Sequence, residues 1–192
     1  EAGKGFGIHR ENALSIGGWR PLAEQAGERA DEVAPGLTIA IRNELAELET
    51  HWPRTLPAGI IHADLFPNNT LYVGDQLSGV IDFYFAAHDA LAYDLAICLN
   101  AWCFEADNSF NLTKGRALIS GYRAKRALNR AEIEALPVLC RGAALRFLLT
   151  RLVDWLNVPP GALVRPLDPM EYWKKLRFHQ SVDAASAYGL ID

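Results

Sequence analysis

The sequence is poor in the features that mark several large classes of protein. It has three cysteines, Cys98, Cys103 and Cys140, and their spacing matches no zinc site. An odd number of thiols, two of them in an apolar stretch, indicates free cysteines and predicts a reduced, cytoplasmic compartment. No apolar run reaches the ~18 residues that a membrane span requires, so no membrane partner is expected.

A strong charge of one sign is also lacking. Lys and Arg total 19 and Asp and Glu total 23, which gives a net charge of −4 over 192 residues. A chain this close to neutral has no electrostatic attraction for nucleic acid, and none is expected as a partner. The hydrophobic residues make up 50% of the chain, which excludes disorder and permits one sizeable core.

The patterning predicts a mainly helical chain with one small β-hairpin, an α+β class. Residues 1–35 are rich in glycine and weakly patterned, so we predict an irregular segment there. Helical spacing of apolar residues begins at Leu37 and ends at Trp52. Two short strands, 70–73 and 79–83, enclose turn residues and predict the hairpin.

The chain after the hairpin is predicted to be helical. Asn129 with Glu132 fits a capping box, and Asp168 before Pro169 is a second helix start. We expect Pro137 to kink or interrupt the helix that Asn129 begins. The predicted helices are 89–104, 113–125, 129–156 and 168–179.

One segment concentrates the residues that could perform chemistry. Asp64 lies two residues after His62, Asn69 five after Asp64, and Asp82 thirteen after Asn69. Phosphoryl transfer needs a carboxylate to take or orient the proton of an attacking hydroxyl, and hard oxygen ligands to hold Mg²⁺ against nucleotide phosphates. The spacing therefore predicts Asp64 as the catalytic base, with Asn69 and Asp82 as metal ligands.

These residues also carry a resemblance to a known family. The segment His62-Ala63-Asp64-Leu65-Phe66-Pro67-Asn68-Asn69 resembles the catalytic loop of the aminoglycoside-phosphotransferase and choline-kinase group, which is related to the protein kinases. Residues 80–83 resemble its metal loop, and residues 89–96 its next signature. Three further blocks are similar to the bacterial homoserine kinases of this group: 90–105, 141–152 and 169–180.

The resemblance implies a fold and a domain organisation. The fold would be protein-kinase-like, with only the C-terminal lobe represented, so that an N-terminal ATP-binding lobe would precede these residues. Residues 1–35 would be the interlobe linker, and residues 36–181 the lobe, with its catalytic and metal loops at 60–83. Residues 182–192 would form a C-terminal tail.

It also implies an activity with ATP and Mg²⁺ as cofactors. Homoserine would accept the γ-phosphoryl group of ATP on its hydroxyl, giving O-phosphohomoserine in threonine biosynthesis. His62 and Asp94 would brace the catalytic loop. Two alternatives stay open: a kinase of the same group for choline, another amino alcohol or an aminoglycoside, and a non-catalytic fragment that acts as a binding module.

Three charged residues in an otherwise apolar helix have two interpretations. Arg151 and Asp154 are three residues apart, which suits an intrahelical ion pair on a solvated edge. Alternatively, Arg146, Arg151 and Asp154 contact an amino-acid substrate, the arginines at its carboxylate and the aspartate at its ammonium group.

Overall fold

The structure, a computed structural model, describes residue 3, residues 5–163 and residues 165–190. Within these residues it is mainly helical, as the sequence predicts. The helices are Ile16–Ala26 (α1), Ala30–Val33 (α2), Leu37–His51 (α3), Leu91–Trp102 (α4), Leu112–Arg123 (α5), Arg130–Leu156 (α6) and Pro169–Gln180 (α7). The strands are Ala58–Ile61 (β1), Thr70–Val73 (β2), Gln76–Val80 (β3) and Ala87–Ala90 (β4).

Helix α6 forms the centre of the core and packs against α1, α3, α4 and α7. It begins with the predicted capping box, in which Asn129 Oδ1 accepts from Glu132 N at 2.9 Å and Glu132 Oε2 accepts from Asn129 N at 3.0 Å. The predicted interruption at Pro137 is wrong, because the helix runs through it. Proline removes one backbone hydrogen bond there, while Pro137 and the leucines beside it are buried in the core.

The strands form two antiparallel pairs. Strands β2 and β3 make the predicted hairpin, although β3 ends at Val80 and does not reach residue 83. It stops there because Asp82 has a left-handed backbone, with φ of 61°, and a turn of 3-10 helix follows. The second pair, β1 with β4, joins Ala58 to Ala90, and the patterning did not predict it.

The N-terminal segment is more ordered than predicted. Irregular structure over residues 1–35 is wrong for α1 and α2. In α1, Trp19 is fully buried and meets Trp52 edge-on at 4.9 Å. Gly142 of α6 makes room for both rings, since a Cβ there would overlap them. Burial of one large aromatic side chain thus outweighs the weak helix propensity of the glycines and proline around it. Residues 1, 2 and 4 lie outside the described residues.

Residues 182–190, part of the segment predicted as a C-terminal tail, pack against the core. Residues Ala185–Tyr188 form a turn of 3-10 helix, and Tyr188 and Leu190 are buried in the core. The division into a lobe and a tail at residue 181 stays a prediction, and residues 191 and 192 lie outside the described part of the chain. None of the helices in the described residues is both long and apolar enough to cross a membrane.

Candidate active site

The loop that follows β1 is held by a carboxylate from the first turn of α4. Asp94 Oδ2 accepts from His62 N at 3.0 Å, and Asp94 Oδ1 accepts from Ala63 N at 2.8 Å. Ala63 has a left-handed backbone, with φ of 62°, which the two bonds help to hold. Burial raises the pKa of Asp94, and the two N–H donors oppose that rise. This is the geometry that a loop brace requires.

His62 joins the same loop to the segment that carries Asp82. Its Nδ1 accepts from Asp64 N at 3.3 Å, so the ring proton resides on Nε2, which donates to Ile81 O at 2.9 Å. The ring also packs against Phe83, with the centroids 4.7 Å apart. His62 therefore lies behind the loop, where a brace would be placed.

Three successive carbonyl oxygens of this loop accept hydrogen bonds from side chains. The oxygens of residues 63, 64 and 65 accept from Arg146 Nη1, Asn69 Nδ2 and Trp102 Nε1 respectively, the last two at 2.8 Å. These donors come from α6, the turn before β2, and α4. The loop backbone is thus fixed from three directions, and Trp102 is a functional candidate outside the predicted site residues.

A cleft of about 300 Å³ opens beside the loop. It brings together six of the eight sequence-predicted site residues, while His62 and Asp94 support the loop from behind. The six are Asp64, Asn69, Asp82, Arg146, Arg151 and Asp154. A larger cavity of about 620 Å³ lies against β1 and residues 5–9, but none of the predicted site residues lines it.

Asp64 is largely buried at this cleft, with 19% of its side chain exposed. Burial raises the pKa of Asp64; the positive charge of Arg146 lowers it, and the negative charge of Asp82 raises it further. Arg146 Nη2 lies 3.7 Å from Asp64 Oδ1, and Asn69 Nδ2 lies 3.4 Å from Asp64 Oδ2. A carboxylate with a raised pKa is a stronger proton acceptor, as a general base requires.

The donor set next to Asp64 fits Mg²⁺. Asn69 uses its Nδ2 on the loop carbonyl, and its Oδ1 has no hydrogen-bond partner among the described residues. The Asp82 carboxylate likewise has no ion pair within the described ranges. No group of three or more His, Cys, Asp or Glu in the part of the chain that the structure describes could hold a metal alone. Mg²⁺ is commonly bound by one or two protein ligands together with substrate phosphates, which is the arrangement these two oxygens allow.

The C-terminal half of α6 supplies another wall of the cleft. Phe147, Arg151 and Asp154 are four and three residues apart, so they share one helix face. Arg151 Nη1 donates to Glu171 Oε2 at 2.6 Å and to Asp168 O at 3.2 Å. The ion pair with Asp154 is not formed in the described residues, and Asp154 is exposed.

Arg146 is held differently from Arg151. It is 1% exposed, and its guanidinium lies over the Phe147 ring, 4.1 Å from the centroid. Its hydrogen bond to Ala63 O and its approach to Asp64 attach it to the catalytic loop. Arg146 therefore serves the loop in addition to lining the cleft.

Comparisons with known proteins identify the family of this chain. The profile of the phosphotransferase enzyme family matches residues 5–128. The chain belongs to the phosphotransferase enzyme family. Among curated members, the homoserine kinases of Azorhizobium caulinodans and Xanthobacter autotrophicus are each 67% identical over 189 residues. Each match covers 98% of this chain but 59% of the relative, so the chain spans about three fifths of the relatives' length.

A solved phosphotransferase structure confirms the predicted fold. The ethanolamine kinase of Plasmodium vivax superposes with a TM-score of 0.61 at 17% identity. The superposition covers 93% of this chain and 51% of that one. The prediction of a protein-kinase-like fold is therefore confirmed, and the family match confirms the predicted membership in this enzyme group.

Proposed function

We propose that this chain carries the catalytic base, the metal ligands and the acceptor site of a homoserine kinase. The reaction transfers the γ-phosphoryl group of ATP to the hydroxyl of L-homoserine and yields O-phosphohomoserine, a step of threonine biosynthesis. The observation that supports it best is that one cleft contains Asp64, both proposed metal ligands and the charged face of α6. The names of the relatives at 67% identity point to the same substrate.

Asp64 acts on the acceptor hydroxyl in this proposal. Its carboxylate, held in the loop that Asp94 and His62 brace, orients the hydroxyl and takes its proton as the oxygen attacks the γ-phosphorus in line. Asn69 Oδ1 and the Asp82 carboxylate would hold Mg²⁺, which neutralises charge on the nucleotide phosphates. An N-terminal ATP-binding lobe stays a prediction from the resemblance.

The face of α6 suits the zwitterionic end of an amino acid. Arg151 retains free N–H donors for an α-carboxylate, and Asp154 offers an exposed carboxylate to an α-ammonium group. Arg146 adds positive charge nearby, although its Nη1 already serves the loop. An amino alcohol such as choline lacks the carboxylate that these arginines would recognise.

A substrate comparison tests the proposal. ADP release would be measured with the protein as its gene encodes it, with Mg²⁺ and ATP, and with L-homoserine, choline or an aminoglycoside as acceptor. We expect turnover with L-homoserine and a kcat/KM at least about 100-fold lower with choline, because the acceptor arginines would be left unpaired. Preferred turnover of choline or of the aminoglycoside would overturn the substrate assignment. Absence of turnover with all three would favour the binding-module alternative.

A further inference from the structure

Glu171 lies between two cations behind the acceptor face of α6. Its Oε2 accepts from Arg151 Nη1 at 2.6 Å, and its Oε1 accepts from Lys175 Nζ at 2.6 Å. Glu171 is the third residue of α7. Asp168 caps the N-terminus of this helix, because its Oδ1 accepts from Met170 N at 2.8 Å. The Glu171 carboxylate is therefore placed by a capped helix end rather than by a free loop.

Lys175 holds this carboxylate from the core side. Its Nζ donates to Asn100 O at 3.1 Å, and it lies 4.5 Å from the centroid of the Tyr172 ring. Lys175 is only 5% exposed, and burial lowers its pKa while Glu171 opposes that change. A buried ammonium group needs a nearby counter-charge, and Glu171 supplies it. One carboxylate thus connects a buried lysine to an arginine at the cleft.

Glu171 uses only one end of the Arg151 guanidinium. Nη1 makes both of its bonds, to Glu171 and to Asp168 O, and the guanidinium lies over the Tyr172 ring at 4.5 Å from the centroid. Nε and Nη2 have no hydrogen-bond partner among the described residues. Their N–H bonds are parallel and form the edge with which arginine binds a carboxylate in bidentate fashion.

We propose that Glu171, supported by Lys175, is a positioning residue that fixes Arg151 so that its Nε–Nη2 edge receives the α-carboxylate of the acceptor amino acid. This inference rests on the proposed function and adds a determinant of specificity to it. The arginine is oriented before the substrate arrives, so little side-chain entropy is lost on binding. An acceptor that lacks the carboxylate leaves that edge unpaired and binds more weakly.

The direct test is the substitution Glu171→Gln, which keeps the shape of the side chain and its position in the helix but removes its charge. In the protein as its gene encodes it, we expect the KM for L-homoserine to rise about tenfold, the size of one charged hydrogen bond. The kcat and the KM for ATP should stay within about twofold, because Asp64 and the metal ligands are untouched. Glu134→Gln is the matched control, since Glu134 pairs with Arg130 at 2.6 Å on the exposed side of α6.

A double-mutant cycle separates positioning from a general structural role. Arg151→Met should raise the same KM, and adding Glu171→Gln to it should raise the KM no further, because Glu171 acts through Arg151. Two outcomes overturn this inference without touching the proposed function. One is that the two substitutions have additive effects on the KM; the other is that Glu171→Gln leaves the KM unchanged while Arg151→Met raises it. An unchanged KM in Arg151→Met contradicts the proposed acceptor site itself. If Glu171→Gln does not fold, Glu171→Asp carries the test with the same expected rise, and an unchanged KM overturns the inference.

Discussion

The two ends of the cleft are built in opposite ways. At the loop end, two backbone amides and three successive carbonyls of residues 62–65 are each bonded to a side chain from elsewhere in the fold. At the helix end, Arg151 keeps two unpartnered nitrogens and Asp154 has no ion pair among the described residues. At the loop end these internal bonds hold the backbone, while at the helix end the side chains retain donors and acceptors.

This difference corresponds to two functions, the positioning of the reacting groups and the recognition of the substrate. An attacking hydroxyl must be held within a fraction of an ångström of its path, so a base gains from a loop whose backbone is held by several hydrogen bonds. Recognition instead requires groups whose hydrogen bonds are completed only by the ligand. Variants at the loop end should therefore change kcat, and variants at the helix end should change the KM for the acceptor.

Among the residues that only support the cleft, the largest effect is expected at the brace. Asp94→Ala leaves the amides of His62 and Ala63 buried without an acceptor, so the loop shifts and kcat should fall about 100-fold or more. Steady-state kinetics with L-homoserine measures this. Asp107→Ala is the control, because Asp107 also accepts a backbone bond, from Ser109 N at 2.8 Å, in an exposed turn. A kcat within a few-fold of wild type would show that the loop does not need this brace.

A smaller and different effect is expected at the helix end. Asp154→Asn removes the charge that would meet the substrate ammonium, and the KM for L-homoserine should rise about fivefold with kcat little changed. Asp183→Asn, at an exposed site near the C-terminus, provides the comparison. A fall in kcat without a rise in KM would place Asp154 with the loop end and break the contrast.

Helix α7, which carries Glu171 and Lys175, also contains a buried histidine, His179. His179 Nε2 lies 3.1 Å from Asn100 Oδ1 and Nδ1 lies 2.9 Å from the Tyr188 hydroxyl. Burial lowers the pKa of His179 to about 3 from 6.5. Below pH 6.5 the unfolded chain therefore binds a proton at His179 that the folded chain does not bind. The contribution of neutral His179 to stability is complete above pH 6.5 and is lost as the pH falls toward about 3.

Urea denaturation at pH 7.5 and pH 5.5 measures this linkage. When the pH falls from 7.5 to 5.5, the unfolding free energy of the wild type should fall by about 1.4 kcal/mol more than that of His179→Gln. The lower pH is one unit below the pKa of His179 in the unfolded chain, and one pKa unit corresponds to that amount. Equal losses in the two proteins would show that His179 is charged in the folded state.

The least disruptive change concerns Trp102. Trp102→Phe keeps an aromatic ring but removes the hydrogen bond to Leu65 O, and kcat should fall about threefold, the value of one neutral hydrogen bond. Trp155→Phe, on the exposed part of α6, should leave kcat unchanged. A larger loss in Trp155→Phe than in Trp102→Phe would contradict a role for this bond in holding the loop.

Local signals predicted much of this molecule. The capping residues Asn129 and Asp168 mark the starts of α6 and α7 because caps act within one turn of their own helix. The spacing from Asp64 to Asn69 and Asp82 predicted side chains that do line one cleft. The residue chemistry of that short segment was sufficient for a hypothesis about the reaction.

Long-range contacts account for what the sequence did not predict. Helix α1 depends on the burial of Trp19 against α3 and α6, which no local pattern reveals. The partner of Trp102 is 37 residues away, and Arg151 pairs with Glu171 of α7, 20 residues away, rather than with Asp154. Such contacts are decided by how helices pack, so propensity and spacing give no signal for them.

Replacement of Asp64 tests the central claim most directly. Asp64→Asn keeps the size of the side chain and removes the proton acceptor, so kcat should fall about 10³-fold. The KM values for ATP and L-homoserine should stay within a few-fold, and the thermal unfolding midpoint should not fall. A kcat close to wild type in Asp64→Asn would contradict the assignment of Asp64 as the base.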